Sequence, residues 1–271
     1  MMQRTQIVWI SAAAFLICYA SVLAGMMDQW WSDEDMGHGF LVPLVIGFIL
    51  WRERERWMSI APQPSKWGWA LLAAGAAMQL LSVMGAGLFA GSVALVISLA
   101  GVVLLLGGWT LIRTWSFPLL LTLFMLPKLA VVYNQTTLPL QLLASRMAAG
   151  MLTMAGVGVI RAGNILEVGG HQVAVAEACN GIRYLLPLGF IGAVFAYLAD
   201  SRVWMRIVLL ISAIPIAVVA NAGRVAFSAY SPKLAEGNPH LLLGAAIFVV
   251  CLAWLFVIQK LSAKMLGPSH A

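Results

Sequence analysis

"EACNGIRYLLPLGFIGAVFAYL", Glu177 to Leu198, sets an acid, a thiol, an amide and a guanidinium directly before an apolar run of membrane length. That juxtaposition decides how the rest of the chain is read. The chain is 62% hydrophobic and 10% charged, with a mean hydropathy of +0.93. A soluble domain carries roughly 25% charged residues. The fold class that follows is an all-α integral membrane protein, a single polytopic membrane domain over residues 1–271.

Working outward from Tyr184–Leu198, seven other runs have the same character: Ile7–Met27, Gly39–Trp51, Trp67–Gly85, Leu88–Gly108, Trp115–Leu126, Ile207–Ala220 and Leu241–Ile258. Three are short for a hydrocarbon core of ~30 Å. They extend naturally over His38 and Arg52, toward Val132, and back to Val203. About eight transmembrane helices are therefore expected. Ile7–Met27 leads into Asp28, Trp30 and Trp31 rather than a small-residue cleavage site, so it is read as a retained first helix and not a signal peptide.

Lys128–Arg183 interrupts the series. Leu138–Met154 is helix-like and carries Arg146 mid-run, which favours a helix lying on the membrane over a ninth span or a re-entrant helix. Ile165–Val168 and Gln172–Ala176 read as a short β-hairpin turning at Gly169-Gly170-His171.

The formal net charge is +6. No segment carries a basic stripe, so nucleic acid is not a partner. Loop charge instead sets orientation. With both termini cytoplasmic, the inside holds Arg4, Arg52, Arg54, Arg56, Lys66, Arg113, Arg202, Arg206, Lys260 and Lys264. The outside holds Lys128, Arg146, Arg161, Arg183, Arg224 and Lys233. Asp28, Asp33, Glu34 and Asp35 fall in the first outside loop, which is read as solvated and without a role.

That topology brings three polar clusters to one membrane depth, on the outer rim. Glu177–Arg183 precedes the sixth span, Asn221–Arg224 ends the seventh, and His240 opens the eighth, with Gly244 one turn along. A thiol at a helix N-terminus has its thiolate favoured, and Arg183 lies four residues beyond Cys179. Taken singly, each has a plain reading. Cys179 is a small residue at a helix start, Arg224 snorkels to phosphates, and His240 is a solvated cap. Taken together they supply a nucleophile, a cation and a proton shuttle. Asn221 and Asn180 are supporting polar groups.

Cys18 and Cys251 sit in apolar runs as packing residues, and Cys179 has no evident disulfide partner. There is no CxxC pair and no zinc spacing, so neither a metal nor a cofactor is indicated.

"EACNGIRYLLPLGFIGAVFAYL", "NAGRV" and "HLLLGAAIF", together with the early "HGFLVPLVIGFILWRER", resemble the exosortases, membrane cysteine transpeptidase-like proteins of Gram-negative bacteria. The resemblance covers most of the chain and is strongest from Val173 to Phe248. It implies a cysteine protease or transpeptidase of the inner membrane. Such an enzyme cuts a C-terminal Pro-Glu-Pro sorting tag of exported proteins on the periplasmic side, often in species that export polysaccharide. It implies Cys179, Arg224 and His240 as catalytic residues, and tagged export substrates and the lipid bilayer as partners. The family usually has a small residue such as Ser after the Cys, where this chain has Asn180, which bears on tag preference. Glu177 and Arg183 are candidates for holding substrate or the site itself. The other class of function weighed is a transporter or assembly factor for exopolysaccharide, against which stands the scarcity of ionisable residues inside the runs.

Overall fold

The computed structural model describes residues 2–33, 35–175, 182–200, 202–231 and 237–266. All eight apolar runs lie in helical segments. The chain forms two compact units, 1–129 and 130–271, taken in turn below.

The first unit holds α1 (Met2–Ser32), α2 (Leu41–Arg52), α3 (Arg54–Met58), α4 (Trp67–Leu81), α5 (Gly87–Thr114) and α6 (Ser116–Leu121). α4 and α5 form a hairpin. Gly85 and Gly87 take φ of 124° and 80°, a region that costs glycine nothing and other residues much. The two helices then run antiparallel at close range. A Cβ on Gly68 would come within 2.6 Å of Leu105, one on Gly101 within 3.0 Å of Leu72, and one on Gly75 would overlap Ser98 Oγ. Small residues are the general means by which helices approach closely where the hydrophobic effect offers no net drive between them. α1 lays Tyr19, Val22 and Met26 inward on one stripe, and the Tyr19 hydroxyl meets Ser98 Oγ at 2.7 Å.

The loop after α1 is not simply solvated. Lys128 Nζ lies 2.6 Å from Asp33 Oδ2 and 2.8 Å from Asp35 Oδ2, and Asp35 is buried. Burial pulls the Lys128 pKa down, but its hydrogen bonds to Asp33 and Asp35 and their charges outweigh it and hold it above the ordinary lysine value. Asp28 stays exposed, as read from the sequence. Trp30 Nε1 donates to Met125 O at 3.1 Å, so the loop is fastened twice to the turn before Lys128.

The second unit holds α7 (Ala130–Met154), β1 (Val159–Ala162), β2 (Ile165–Val168), β3 (His171–Ala174), α8 (Ile182–Ala199), α9 (Val203–Tyr230) and α10 (Gly237–Leu266). The helix expected at Leu138–Met154 starts eight residues earlier and passes through Pro139. Its inward stripe is Thr137, Gln141, Ala144, Ser145, Ala148 and Leu152, and Arg146 is exposed on the other side.

The expected hairpin is present with two corrections. Gly169 and Gly170, at φ of 59° and 82°, make a two-residue turn, so His171 opens β3 and pairs with Val168. β3 ends at Ala174, and a third strand, β1, pairs with β2. Leu166 and Val168 point inward by the two-residue period and pack on Ala144, Ala148 and Leu152 of α7 and Val225, Ala226 and Ala229 of α9. Ser145 Oγ donates to Gly163 O at 2.9 Å, tying α7 to the β1–β2 turn.

Among the described residues, four helical stretches are long and apolar enough to cross a membrane: Ala12–Ser32, Trp67–Thr114, Val203–Tyr230 and Leu242–Lys264. Ser116–Met125 with Ala130–Met154 makes a fifth if the two count as one broken span. Gly37–Arg52 and Leu185–Ala199 are apolar but shorter. The count is lower than the eight apolar runs for two reasons. The α4–α5 hairpin is one 48-residue helical stretch folded at Gly85, and, among the described residues, Gly37–Arg52 and Leu185–Ala199 fall short of 18 residues.

Candidate active site

The second unit assembles α8, α9 and α10 by small residues. Leu188 of α8, Ala213 and Ala217 of α9, and Cys251 and Leu255 of α10 share one buried cluster. Ala196, Met205 and Leu209 form another, with Ile258 packed against it. Numbers rise along α8 and α10 while they fall along α9, so α9 runs antiparallel to both. Cys251 is a packing residue, as its apolar surroundings in the sequence indicate, and is 1% exposed, whereas Cys18, read the same way, is exposed on α1.

The alanine stripe of α9 changes character toward its C-terminal end. Ala213 and Ala217 are followed, at helical spacing on the same side, by Asn221, Arg224 and Ser228. All three are buried; Asn221 and Arg224 are each 2% exposed. An arginine this deeply covered is not snorkelling to the surface, which removes the plainest reading of Arg224 from the sequence. Nε and Nη1 of Arg224 are sealed inside the fold. Asn221 lines a narrow crevice with Leu185 of α8 and Leu140, Leu143 and Ala144 of α7. Ser228 escaped the sequence reading. Its signal was its position four residues past Arg224, on the same stripe.

Helix rise gives the heights of the other candidates. Seven residues at 1.5 Å is about 10 Å. Moving that far from the Leu188–Ala217–Cys251 layer reaches Arg224 on α9, the beginning of α8, and the neighbourhood of Gly244 on α10. Arg183 lies in the first turn of α8, and His240 in the first turn of α10, one turn beyond Gly244. Glu177, Cys179 and Asn180 lie outside the described residues. The chain enters that segment from a fixed point. Val175, 2% exposed, donates its N–H to Asn164 O at 2.8 Å, and its own carbonyl accepts from Asn164 Nδ2 at 3.3 Å. The small sheet thus anchors the strand that leads into α8 against the same end of α9 that carries Arg224.

Among the described residues no group of His, Cys, Asp and Glu could hold a metal ion.

The model of the transmembrane exosortase family matches residues 30–257, most of the chain. The protein belongs to this family, and is accordingly a multi-pass membrane protein of a transpeptidase family. Comparison with curated proteins and with solved structures returned no match.

Proposed function

We propose that the protein is an inner-membrane cysteine peptidase or transpeptidase that cuts a C-terminal Pro-Glu-Pro sorting tag of exported proteins. The observation that carries this reading is the burial of Arg224 and Asn221 on α9, at the height where α8 begins and one turn from His240 on α10, in a chain of the exosortase family. Eight membrane passages with both termini in the cytoplasm would place that height at the periplasmic face. Short apolar segments such as Gly37–Arg52 and Leu185–Ala199 would then cross with flanking residues completing the span.

In this reading Cys179 gives its proton to His240, and the thiolate attacks the carbonyl carbon of the scissile peptide. The tetrahedral oxyanion, or the thiolate before it, is stabilised by Arg224, whose charge is strengthened by exclusion of water. Collapse breaks the C–N bond. The leaving amine takes the proton from His240, and the substrate's N-terminal portion stays on Cys179 as a thioester. Water or an acceptor amine then attacks the thioester, passes its proton to His240 and frees the thiol. Asn221 positions Arg224. Glu177, Asn180 and Arg183 hold the segment around the thiol, and Arg183 suits an acidic tag motif.

Trapping tests this sequence of steps. A Pro-Glu-Pro-tagged reporter is incubated with the membrane-embedded protein and quenched in acid. The expected product is a covalent enzyme–reporter adduct that hydroxylamine releases and that Cys179→Ala does not form. An adduct that survives hydroxylamine, or one that forms on Cys179→Ala, contradicts a thioester at this residue.

A further inference from the structure

A cleft of about 410 Å³ opens between the C-terminal end of α7 and the C-terminal end of α9. Its walls include Met151, Leu152 and Ala155 on one side and Gly223, Ala226, Phe227 and Tyr230 on the other. The volume lies in the range of pockets that enclose small ligands, ~300–1,000 Å³. Apart from the Tyr230 hydroxyl, the side chains offered to an occupant are apolar. Positions 223, 226, 227 and 230 make one stripe of α9, beside the stripe of Asn221, Arg224 and Ser228. It is about 10 Å long by helix rise, enough for two turns of helix or three extended residues.

Gly223 shows that the space is not simply left over from packing. Glycine inside a helix is unfavourable relative to alanine. Gly68, Gly75 and Gly101 have a reason in the neighbouring helix that presses on them, whereas a Cβ on Gly223 would meet nothing within 4 Å. Gly47 and Gly150 are open too, but neither lines this cleft. At Gly223 the chain keeps floor space free in an apolar cleft, one residue from the buried guanidinium.

We infer that this cleft receives an apolar stretch of the substrate polypeptide adjoining the bond that is cut, and that Gly223 and Ala226 set which substrates fit. The inference rests on the reading of Arg224 as part of the active site. A polypeptide is favoured over a lipid chain by continuity with that site. Gly223 is sequential with Arg224, so the cleft begins at the height of Arg224 on α9, on the neighbouring stripe of the same helix.

Photocrosslinking tests it without requiring turnover. Benzoylphenylalanine replaces Phe227 in the cleft or, as a control, Ile211, which is exposed on α9 away from it; both are placed in a Cys179→Ala chain co-expressed with the tagged reporter. A reporter adduct is expected from position 227 and not from 211. Gly223→Leu, which fills the floor, is expected to reduce that adduct roughly tenfold or more, while Gly223→Ala keeps it. If Gly223→Leu does not accumulate, Ala226→Leu fills the same space. Absence of a reporter adduct from 227 overturns the inference even where the wild-type chain processes the reporter, and an acyl-chain adduct there identifies lipid as the occupant. An adduct that Gly223→Leu or Ala226→Leu leaves unchanged overturns it as well. An adduct formed without any wild-type processing leaves the cleft assignment standing and removes the catalytic reading instead.

Discussion

The α4–α5 hairpin and the α8–α9–α10 group are built on the same device and end differently. Both bring apolar helices together on small residues, Gly68, Gly75 and Gly101 in one and Ala213 and Ala217 in the other. In the hairpin the small stripe is carried by glycine, and the buried serines of α5 are bonded, Ser92 to Phe89 O and Ser98 to Tyr19. On α9 the stripe gives way to Asn221, Arg224 and Ser228, all buried. Placing such groups in an apolar helix bundle is costly. The hairpin's small residues hold helices together; the buried polar groups of α9 are those to which the proposed mechanism assigns a chemical role.

Four substitutions press on that distinction. The largest effect is expected from Arg224→Ala, which should lower reporter processing by at least about a hundredfold while the protein still accumulates in the membrane. Immunoblots of reporter and enzyme from the same cells read both quantities. Loss of accumulation would instead place Arg224 with the packing residues. Gly75→Leu is the converse case. It forces a side chain into Ser98 and should destabilise by about 1–3 kcal/mol or more, seen as lost accumulation or a lower thermal transition in detergent, with any surviving protein retaining its specific activity.

Lys128→Met sharpens the comparison within the first unit. It leaves Asp33 and the buried Asp35 facing each other, and should cost about 1–3 kcal/mol, read as a lowered thermal transition. Because the Lys128 pKa is raised in the folded chain, its contribution is full below the ordinary lysine value of ~10.4 and is lost as pH rises through the higher native value. The smallest effect is expected at the α8–α9 loop. There the Arg202 guanidinium, 2.7 Å from Asp200, holds that carboxyl below its ordinary value despite opposing burial. Its contribution is present above the unfolded carboxylate value of ~3.9 and fades as pH falls through the lower native one. Asp200→Asn should remove that acid-side dependence, measurable as a pH series of thermal transitions.

The helices were legible because composition dominates them. Runs such as Leu241–Ile258 contain no charged residue, and Gly85 and Gly87 mark a tight reversal between two of them. The small sheet was legible only where glycine punctuated it. Gly169-Gly170 announced the β2–β3 turn, whereas β1 has four residues, no alternation and an exposed Arg161, so local pattern carried no signal for it. Lys128 and Asp35 are 93 residues apart in sequence, beyond what periodicity can relate, which is why an acid loop that pairs with a lysine read as a solvated one. At the candidate site the motif residues were visible as chemistry out of place. The depth of Arg224 and the cleft beside Gly223 were not visible, since both depend on which face of α9 meets which neighbour.

In the proposed mechanism Cys179 performs the chemistry. The most direct measurement compares processing of a Pro-Glu-Pro-tagged reporter in cells carrying the wild-type chain or Cys179→Ala, each normalised to the amount of enzyme in the membrane. A processed band is expected with the wild-type chain and background alone with Cys179→Ala at equal membrane levels. Equal processing by the two would contradict it.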